Sequence, residues 1–246
     1  MDRHAMDSWN ELARKDAMWA VLSDDAKAGE RWDPEAFFAT GVNDVRGVME
    51  RLQSFGLKPA RTRALDFGCG VGRLTRALAP HFDEVVGVDV SDVMLEKAKT
   101  LRPLPSNVVL RHNPTRELDC VARASVSFAL SLIALQHVPE PAALSYIEGI
   151  GNALAVGGIA YLQISTNLDE SGAEKWRRDR SPVNQFYRRA RSLFAKKARR
   201  MDTHYCRLSK VMELLETQRL HLVAVLPDAS LPKPFVSHVI VFERRA

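Results

Sequence analysis

The sequence predicts an α/β protein whose mostly parallel sheet is covered by helices on both faces. From residue 63 onward, short apolar segments rich in β-branched residues alternate with segments of helical spacing. A glycine-rich turn follows the first of these apolar segments. The chain has 246 residues, of which 46% are hydrophobic and 26% charged. This composition suits one large globular domain and excludes a disordered or disulfide-scaffold protein.

The first 60 residues predict a helical N-terminal extension. Ser8 and Glu11 have the spacing of a capping box, so we expect the first helix to begin at Ser8. Asp33 followed by Pro34 marks a second helix start, and Gly56 marks its end. One face of this second helix is expected to carry Val42, Val45, Val48, Met49, Leu52 and Phe55.

The rest of the chain predicts seven strands, most of them separated by helices. Strands are expected at 64–67, 84–89, 107–110, 126–131, 159–164, 220–226 and 236–243, and helices at 73–79, 92–100, 139–155 and 208–217. Ser91 suits the cap of the second of these helices. We expect a single domain with an N-terminal cap (1–60), a core (61–165), an insertion (166–206) and a closing helix and strands of the same sheet (207–246).

The turn after the first strand carries Gly68, Gly70 and Gly72, with Asp66 two residues before the first glycine. Glycines at such a place let the backbone turn sharply and let a ligand approach the peptide groups. A dinucleotide-binding turn has the spacing G-x-G-x-x-G, whose third glycine would stand at position 73, where this chain has Arg73. The spacing here is G-x-G-x-G instead.

With this motif the chain resembles the class I S-adenosylmethionine-dependent methyltransferases, whose first motif has the form (D/E)-x-G-x-G-x-G. The resemblance extends in order over about residues 60–246. Asp89 ends the second strand, and the segment Ser131 to Pro139 follows the fourth. The segment Ala155-Val156-Gly157-Gly158 precedes the fifth strand, and the segment Tyr205 to Val211 opens the last helix. It implies a Rossmann-like, doubly wound, seven-stranded sheet with the last strand antiparallel.

The resemblance also implies S-adenosyl-L-methionine as cofactor. Asp66 would take the ammonium group of its amino-acid tail, Asp89 its ribose hydroxyls, and Asn113 its adenine, where many family members have an aspartate. For Asn113 a turn role before Pro114 is the alternative, and for Met94 a role in the core. The predicted cofactor-binding residues are Asp66, Gly68, Cys69, Gly70, Gly72, Arg73, Asp89, Val90, Met94, Asn113, Ser131 and Gln136.

The acceptor is predicted to be a small molecule, methylated on a hydroxyl of a sugar or another biosynthetic intermediate. The chain lacks the Asn-Pro-Pro-aromatic segment of enzymes that methylate base amino groups, a cysteine next to proline, and any metal-ligand spacing, so we expect neither DNA nor a metal. His137 is the candidate general base; orienting the cofactor tail or capping the next helix is its alternative role. A non-catalytic cofactor-binding module, or a lipid-linked or RNA acceptor, stays open.

A basic segment at 173–200 holds eleven basic and two acidic side chains, for a local charge of +9 in a chain of net charge +5. Its apolar residues are spaced as in an amphipathic helix. It is interpreted as a lid over an anionic acceptor, as a peripheral contact with an anionic membrane, or as a solvated face, with RNA a weaker alternative.

Trp9 and Trp19 are placed to close over the cofactor, or else to pack on the body of the domain. The N-terminus has no apolar signal segment, and three cysteines suggest a reducing compartment, so we expect a cytoplasmic protein. The sequence leaves the oligomeric state open.

Overall fold

The computed structural model describes residues 3–169, 202–231 and 234–246. The basic segment at 173–200 and its predicted amphipathic helix therefore lie outside the described residues. Within the described part of the chain, no helix combines the length and the apolar character that a membrane span requires.

The seven predicted strands form one sheet in the order β3-β2-β1-β4-β5-β7-β6. They are β1 (Arg63–Phe67), β2 (Glu84–Asp89), β3 (Val108–His112), β4 (Val126–Ser131), β5 (Leu154–Leu168), β6 (Leu220–Asp228) and β7 (Phe235–Arg244). Strands β1 to β5 pair in parallel, whereas β7 runs antiparallel to both of its neighbours, β5 and β6. The predicted fold class and the antiparallel last strand are confirmed.

The fifth strand is longer than predicted and includes the Gly157-Gly158 turn. Val126 pairs with Leu154 and Phe128 with Ile159, so three more residues separate the paired positions on β5 than on β4. Gly157 accommodates this irregularity with a left-handed φ of +77°. A glycine pair expected to precede the strand thus forms a bulge inside it.

The described residues form six α-helices that cover the sheet: α1 (Arg3–Val21), α2 (Pro34–Ser54), α3 (Arg73–Leu78), α4 (Asp92–Leu101), α5 (Glu140–Ala153) and α6 (Leu208–Thr217). Asp33 and Ser91 cap α2 and α4 as predicted, each accepting a backbone N–H of the first turn. The predicted start at Ser8 is wrong, because α1 already begins at Arg3 and Ser8 lies inside it. Val42 is 55% exposed and does not belong to the buried face of α2.

Apolar side chains form a core on each face of the sheet. One cluster packs α5 and α6 against residues such as Leu65 and Val86, and a second packs α2 and α3 against the opposite face. A third, which includes Phe37, Val71 and Met94, joins α1, α2 and α4. The third cluster brings the N-terminal helix next to the glycine-rich turn.

Candidate active site

A cavity opens at the carboxyl ends of the parallel strands. Its walls come from the turn after β1, from Asp89 and Val90 at the end of β2, from residues 132–134, 137 and 138 after β4, and from α1. The carboxyl ends of neighbouring parallel strands meet at one edge of the sheet, which is where α/β proteins bind their ligands. Most of its lining is apolar.

The glycines of the turn are required by both backbone angle and space. Gly68, Gly70 and Gly72 have φ values of +75°, +51° and +78°, in the left-handed region that side chains disfavour. A β-carbon on Gly68 would lie 2.3 Å from Ala134 Cβ, and one on Gly70 would lie 2.6 Å from Val21 Cγ2. The turn therefore presents bare backbone to the cavity at Gly68 and Gly70.

Asp89 closes the same part of the cavity and braces the turn. Its Oδ2 accepts the N–H of Gly70 at 2.8 Å, and its Oδ1 accepts the N–H of Ser91 at 2.8 Å. Burial raises the pKa of Asp89 above its usual value, while these backbone N–H groups act in the opposite direction. The side chain lines the cavity and is half-buried, so its remaining lone pairs are within reach of a ligand.

Asp66 lies behind the turn and is almost fully buried. Its Oδ2 accepts a hydrogen bond from Thr75 Oγ1 at 2.5 Å, whereas its Oδ1 has no hydrogen-bond partner among the described residues. Burial raises the pKa of Asp66 to about 6, against the lowering effects of Thr75 and of the Arg73 charge. A buried carboxylate oxygen without a partner is costly, which makes Asp66 a candidate to meet a cation.

Three further predicted residues shape the turn but do not line the cavity. Arg73 is buried and pairs with Asp44 of α2 at 2.5 Å. Cys69 is buried, and burial raises the pKa of its thiol well above the usual range. Gly72 caps α3, where a β-carbon would lie 2.5 Å from Arg76 Nη1. The structure thus gives Arg73, Cys69 and Gly72 packing roles.

On the far side, Val90, Met94 and Asn113, three of the predicted cofactor-binding residues, line the cavity. Asn113 Nδ2 donates to the Thr115 carbonyl at 3.3 Å, and its Oδ1 accepts from Cys120 Sγ at 3.6 Å. The contact with Cys120 is a weak one, and it involves the oxygen that would bind an adenine amino group. Adenine recognition by Asn113 stays a prediction.

His137 lines the cavity, but both of its ring nitrogens are paired. Nδ1 lies 3.2 Å from the Asp202 carbonyl and therefore donates to it, which leaves Nε2 to accept from Gln136 Nε2 at 3.1 Å. Burial lowers the pKa of His137 to about 4, so the ring is neutral at pH 7. Its edge meets the ring of Trp9, with centroids 5.3 Å apart.

Ser131 and Gln136 stand beside the cavity rather than in its lining. Ser131 Oγ donates to the Phe67 carbonyl at 3.0 Å and so ties the end of β4 to the end of β1. Gln136 supports His137, and its backbone carbonyl accepts the N–H of His204 at 2.7 Å. Both residues hold the walls in place.

The N-terminal helix forms one wall through Trp9, Ala20 and Val21. Ser91 Oγ at the cap of α4 donates to Asn10 Oδ1 at 2.5 Å, which fixes α1 to the end of β2. Trp19 is buried and donates through Nε1 to the Asp24 carbonyl at 3.0 Å, outside the cavity. Of the two tryptophans expected to close over the cofactor or to pack on the body, Trp9 lines the cavity and Trp19 packs on the body.

Ile133 and Ala134 line the cavity from the segment after β4 that the resemblance singles out, whereas Tyr146 was not anticipated from the sequence. Tyr146 OH donates to the Thr115 carbonyl at 2.7 Å from the buried face of α5. The sequence signal that could have identified Tyr146 is a tyrosine among the apolar residues of one helix face. Within the described ranges, no three histidine, cysteine or acidic side chains gather where they could hold a metal ion.

Residues 64–158 match the model of a family described as a methyltransferase domain. The chain is 32% identical over 120 residues to a ubiquinone biosynthesis O-methyltransferase of Bordetella avium, covering 47% of this chain and 48% of that protein. It is 30% identical over 155 residues to the protein of the same name from Marinobacter nauticus, covering 61% and 59%. The matched region therefore spans about half the length of these relatives.

Solved structures share the fold at low sequence identity. Magnesium protoporphyrin IX methyltransferase from Synechocystis, solved with bound S-adenosylhomocysteine, aligns with a TM-score of 0.60 and 16% identity over 98% of both chains. An S-adenosylmethionine-dependent methyltransferase from Leishmania major aligns with a TM-score of 0.60 and 14% identity over 98% of this chain and 82% of that one. Residues 64–158 thus match the model of the methyltransferase domain family, in a chain that has the class I S-adenosylmethionine-dependent methyltransferase fold.

Proposed function

We propose that this protein transfers the methyl group of S-adenosylmethionine to a hydroxyl of a small molecule. The observation that carries the proposal is the pairing of Asp89 with the N–H of Gly70 at the cavity wall, within the segment that matches the methyltransferase family. The names of the relatives support O-methylation as the reaction class.

The residues around the cavity fit this cofactor. Gly68 and Gly70 present bare backbone to the cavity, and Asp66, which lies behind the lining, has a buried carboxylate oxygen without a partner among the described residues. The cofactor has an ammonium group, a ribose diol and a flat adenine. Asp66 would meet the ammonium, Asp89 the ribose hydroxyls, and the apolar side chains of Val90 and Met94 the adenine.

When bound, the cofactor supplies an electrophilic methyl group on a sulfonium. The chain's own contribution is to hold the two reactants in line and to exclude water, for which the largely apolar lining is suited. Trp9, Phe67 and Tyr146 are the large aromatic side chains of the lining. The pairing of Nε2 with Gln136 and the low pKa of His137 support an orienting role for this ring over proton abstraction.

The proposal is tested in two steps. Calorimetry with the purified full chain should show binding of S-adenosylmethionine and S-adenosylhomocysteine, and none of NAD. Incubation with methyl-labelled cofactor and a panel of phenols, catechols, sugars and hydroxy acids should then transfer label to a hydroxyl. Absence of cofactor binding contradicts the proposal. Binding without transfer to any acceptor class would identify the chain as a non-catalytic cofactor-binding module.

A further inference from the structure

One backbone position in the cavity wall has an unusual conformation. Ile133, in the segment after β4, has a φ of +66°. This left-handed region is unfavourable for a side chain branched at the β-carbon, so the surrounding structure must hold it. Ile133 lines the cavity, and the next residue, Ala134, is the one that lies against Gly68.

The group that holds Ile133 is a buried side chain of β5. Gln163 is 4% exposed, and its Oε1 accepts the N–H of Ile133 at 2.6 Å. Its Nε2 donates to Asp228 Oδ2 at 2.8 Å and to Ser230 Oγ. Gln163 therefore links the segment after β4 to the end of β6.

The orientation of the Gln163 amide follows from its partners. Burial acts to raise the pKa of Asp228, but hydrogen bonds from Ser230, Ser237 and Gln163 bring it below its usual value, so this side chain is a carboxylate at neutral pH. A carboxylate only accepts hydrogen bonds, so the NH₂ group of Gln163 must face it. The oxygen of the amide is then directed at Ile133.

We propose that Gln163 is a positioning residue that keeps Ile133 in its left-handed conformation and thereby holds Ala134 against the glycine-rich turn. The consequence for ligand binding rests on the proposed function, because the turn is the place where the cofactor would lie. Gln163 is absent from the cavity lining and acts through Ile133. His137 also depends on this segment, since its backbone N–H donates to the Ala134 carbonyl at 3.1 Å.

The test is a double-mutant cycle between Gln163→Met and Ile133→Gly. Methionine keeps the length of glutamine without its hydrogen bonds, and glycine adopts the left-handed conformation without strain. In the otherwise wild-type chain, Gln163→Met should raise the dissociation constant of S-adenosylmethionine about tenfold, the factor for about 1.4 kcal/mol. In the Ile133→Gly background the same substitution should change it less than about threefold, because glycine no longer needs the restraint.

Hydrogen exchange at the Ile133 amide gives a readout that does not depend on the cofactor. It should become about tenfold faster or more in Gln163→Met than in the wild type, compared at equal global stability. Gln218→Met is the matched control, because the Gln218 amide also bonds to the backbone, donating to the Glu148 carbonyl away from the cavity. It should leave both the exchange rate and the dissociation constant unchanged.

Unchanged exchange at Ile133 in Gln163→Met would overturn the inference, as would an equal loss of affinity in both backgrounds. If the wild type binds no S-adenosylmethionine, the proposed function fails, while the exchange measurement still decides the role of Gln163. Should Gln163→Met not fold, Asp228→Ala removes the partner that orients the amide. Asp228→Ala should then accelerate hydrogen exchange at Ile133 by a smaller factor than is expected for Gln163→Met. An unchanged exchange rate would count against the inference.

Discussion

The β-carbon of Ala134 stands 2.3 Å from the place that a β-carbon on Gly68 would take. The two residues belong to the segments after β4 and after β1, so their contact fixes how closely these walls of the cavity approach each other. Nothing larger than a hydrogen fits on Gly68, and its φ of +75° disfavours a side chain as well.

We therefore expect Gly68→Ala to destabilise the fold by about 1–3 kcal/mol through overpacking, and to abolish detectable cofactor binding. Gly47→Ala is the matched control, because a β-carbon on Gly47 of α2 meets no atom within 4 Å. It should stabilise the protein by about 0.5–1 kcal/mol, as expected for Gly→Ala in a helix. Urea unfolding and calorimetry measure both effects. If Gly68→Ala and Gly47→Ala changed stability and cofactor binding equally, the tight contact at Gly68 would not explain the effect.

Asp89 is expected to be the main polar contributor to cofactor affinity. Asp89→Ala removes the acceptor for the ribose hydroxyls and releases the N–H of Gly70, so it should weaken binding by about 1.5–3 kcal/mol. Asp92→Ala, at an exposed position in the first turn of α4, is the control and should leave the dissociation constant within about twofold, since surface charges contribute little. A loss of similar size in both variants would argue against a specific role for Asp89.

Cofactor affinity should depend on pH through Asp66. Its pKa is raised to about 6 in the protein, so it is mostly protonated at pH 5 and ionised at pH 7. The amino group of the ligand stays charged over this range, so if Asp66 meets it, binding should tighten about tenfold from pH 5 to pH 7. Asp66→Asn should remove this dependence, whereas Asp44→Asn, at the partner of Arg73, should keep it. A flat wild-type profile would exclude the contact.

His137 should contribute to stability in a pH-dependent way. Burial lowers its pKa to about 4, whereas the unfolded chain has the ordinary value of 6.5. The unfolded state therefore binds more protons between these values, so stability due to the neutral ring is present above pH 6.5 and is lost as the pH falls to 4. As the pH falls from 6.5 to 4, the difference in the free energy of unfolding between wild type and His137→Gln should shrink by up to about 3 kcal/mol.

Denaturant unfolding at several pH values measures this difference, with exposed His81→Gln as the control.

Turnover of the His137→Gln variant separates the two roles of His137. An orienting ring predicts a rate constant within about tenfold of wild type, whereas loss of a general base would cost about 10²–10⁴-fold. A loss in that second range would return His137 to the role of base.

The parts of the fold that follow from local chemistry were predictable. The strands, the glycine-rich turn and the caps Asp33 and Ser91 depend on neighbouring residues, and the structure has them where the sequence indicates. The capping box at Ser8 is a local pattern that the longer helix overrides. Residues 107–112 show the usual error at a strand end, because β3 begins and ends later than its apolar pattern.

The walls of the cavity depend on contacts that spacing does not encode. Arg73 was expected at the cofactor, but it pairs with Asp44, 29 positions earlier, in α2. Gln163 was not noticed, although a glutamine between Leu162 and Ile164 in a buried strand is a signal that its side chain must find polar partners. Which partners it finds depends on the loops after β4 and β6, whose positions only the folded sheet fixes.

Helix α1 is interrupted at Asp16, where φ is −162° and ψ is 87°. The Asp16 carboxylate accepts the N–H groups of Trp19, Gly29 and Glu30, so the short second half of the helix is fastened to the loop that follows it. The first half is fastened separately, by Asn10 to Ser91. The two halves therefore have separate anchors: Asn10 holds the half that carries Trp9, and Asp16 holds the half that keeps Val21 beside Gly70.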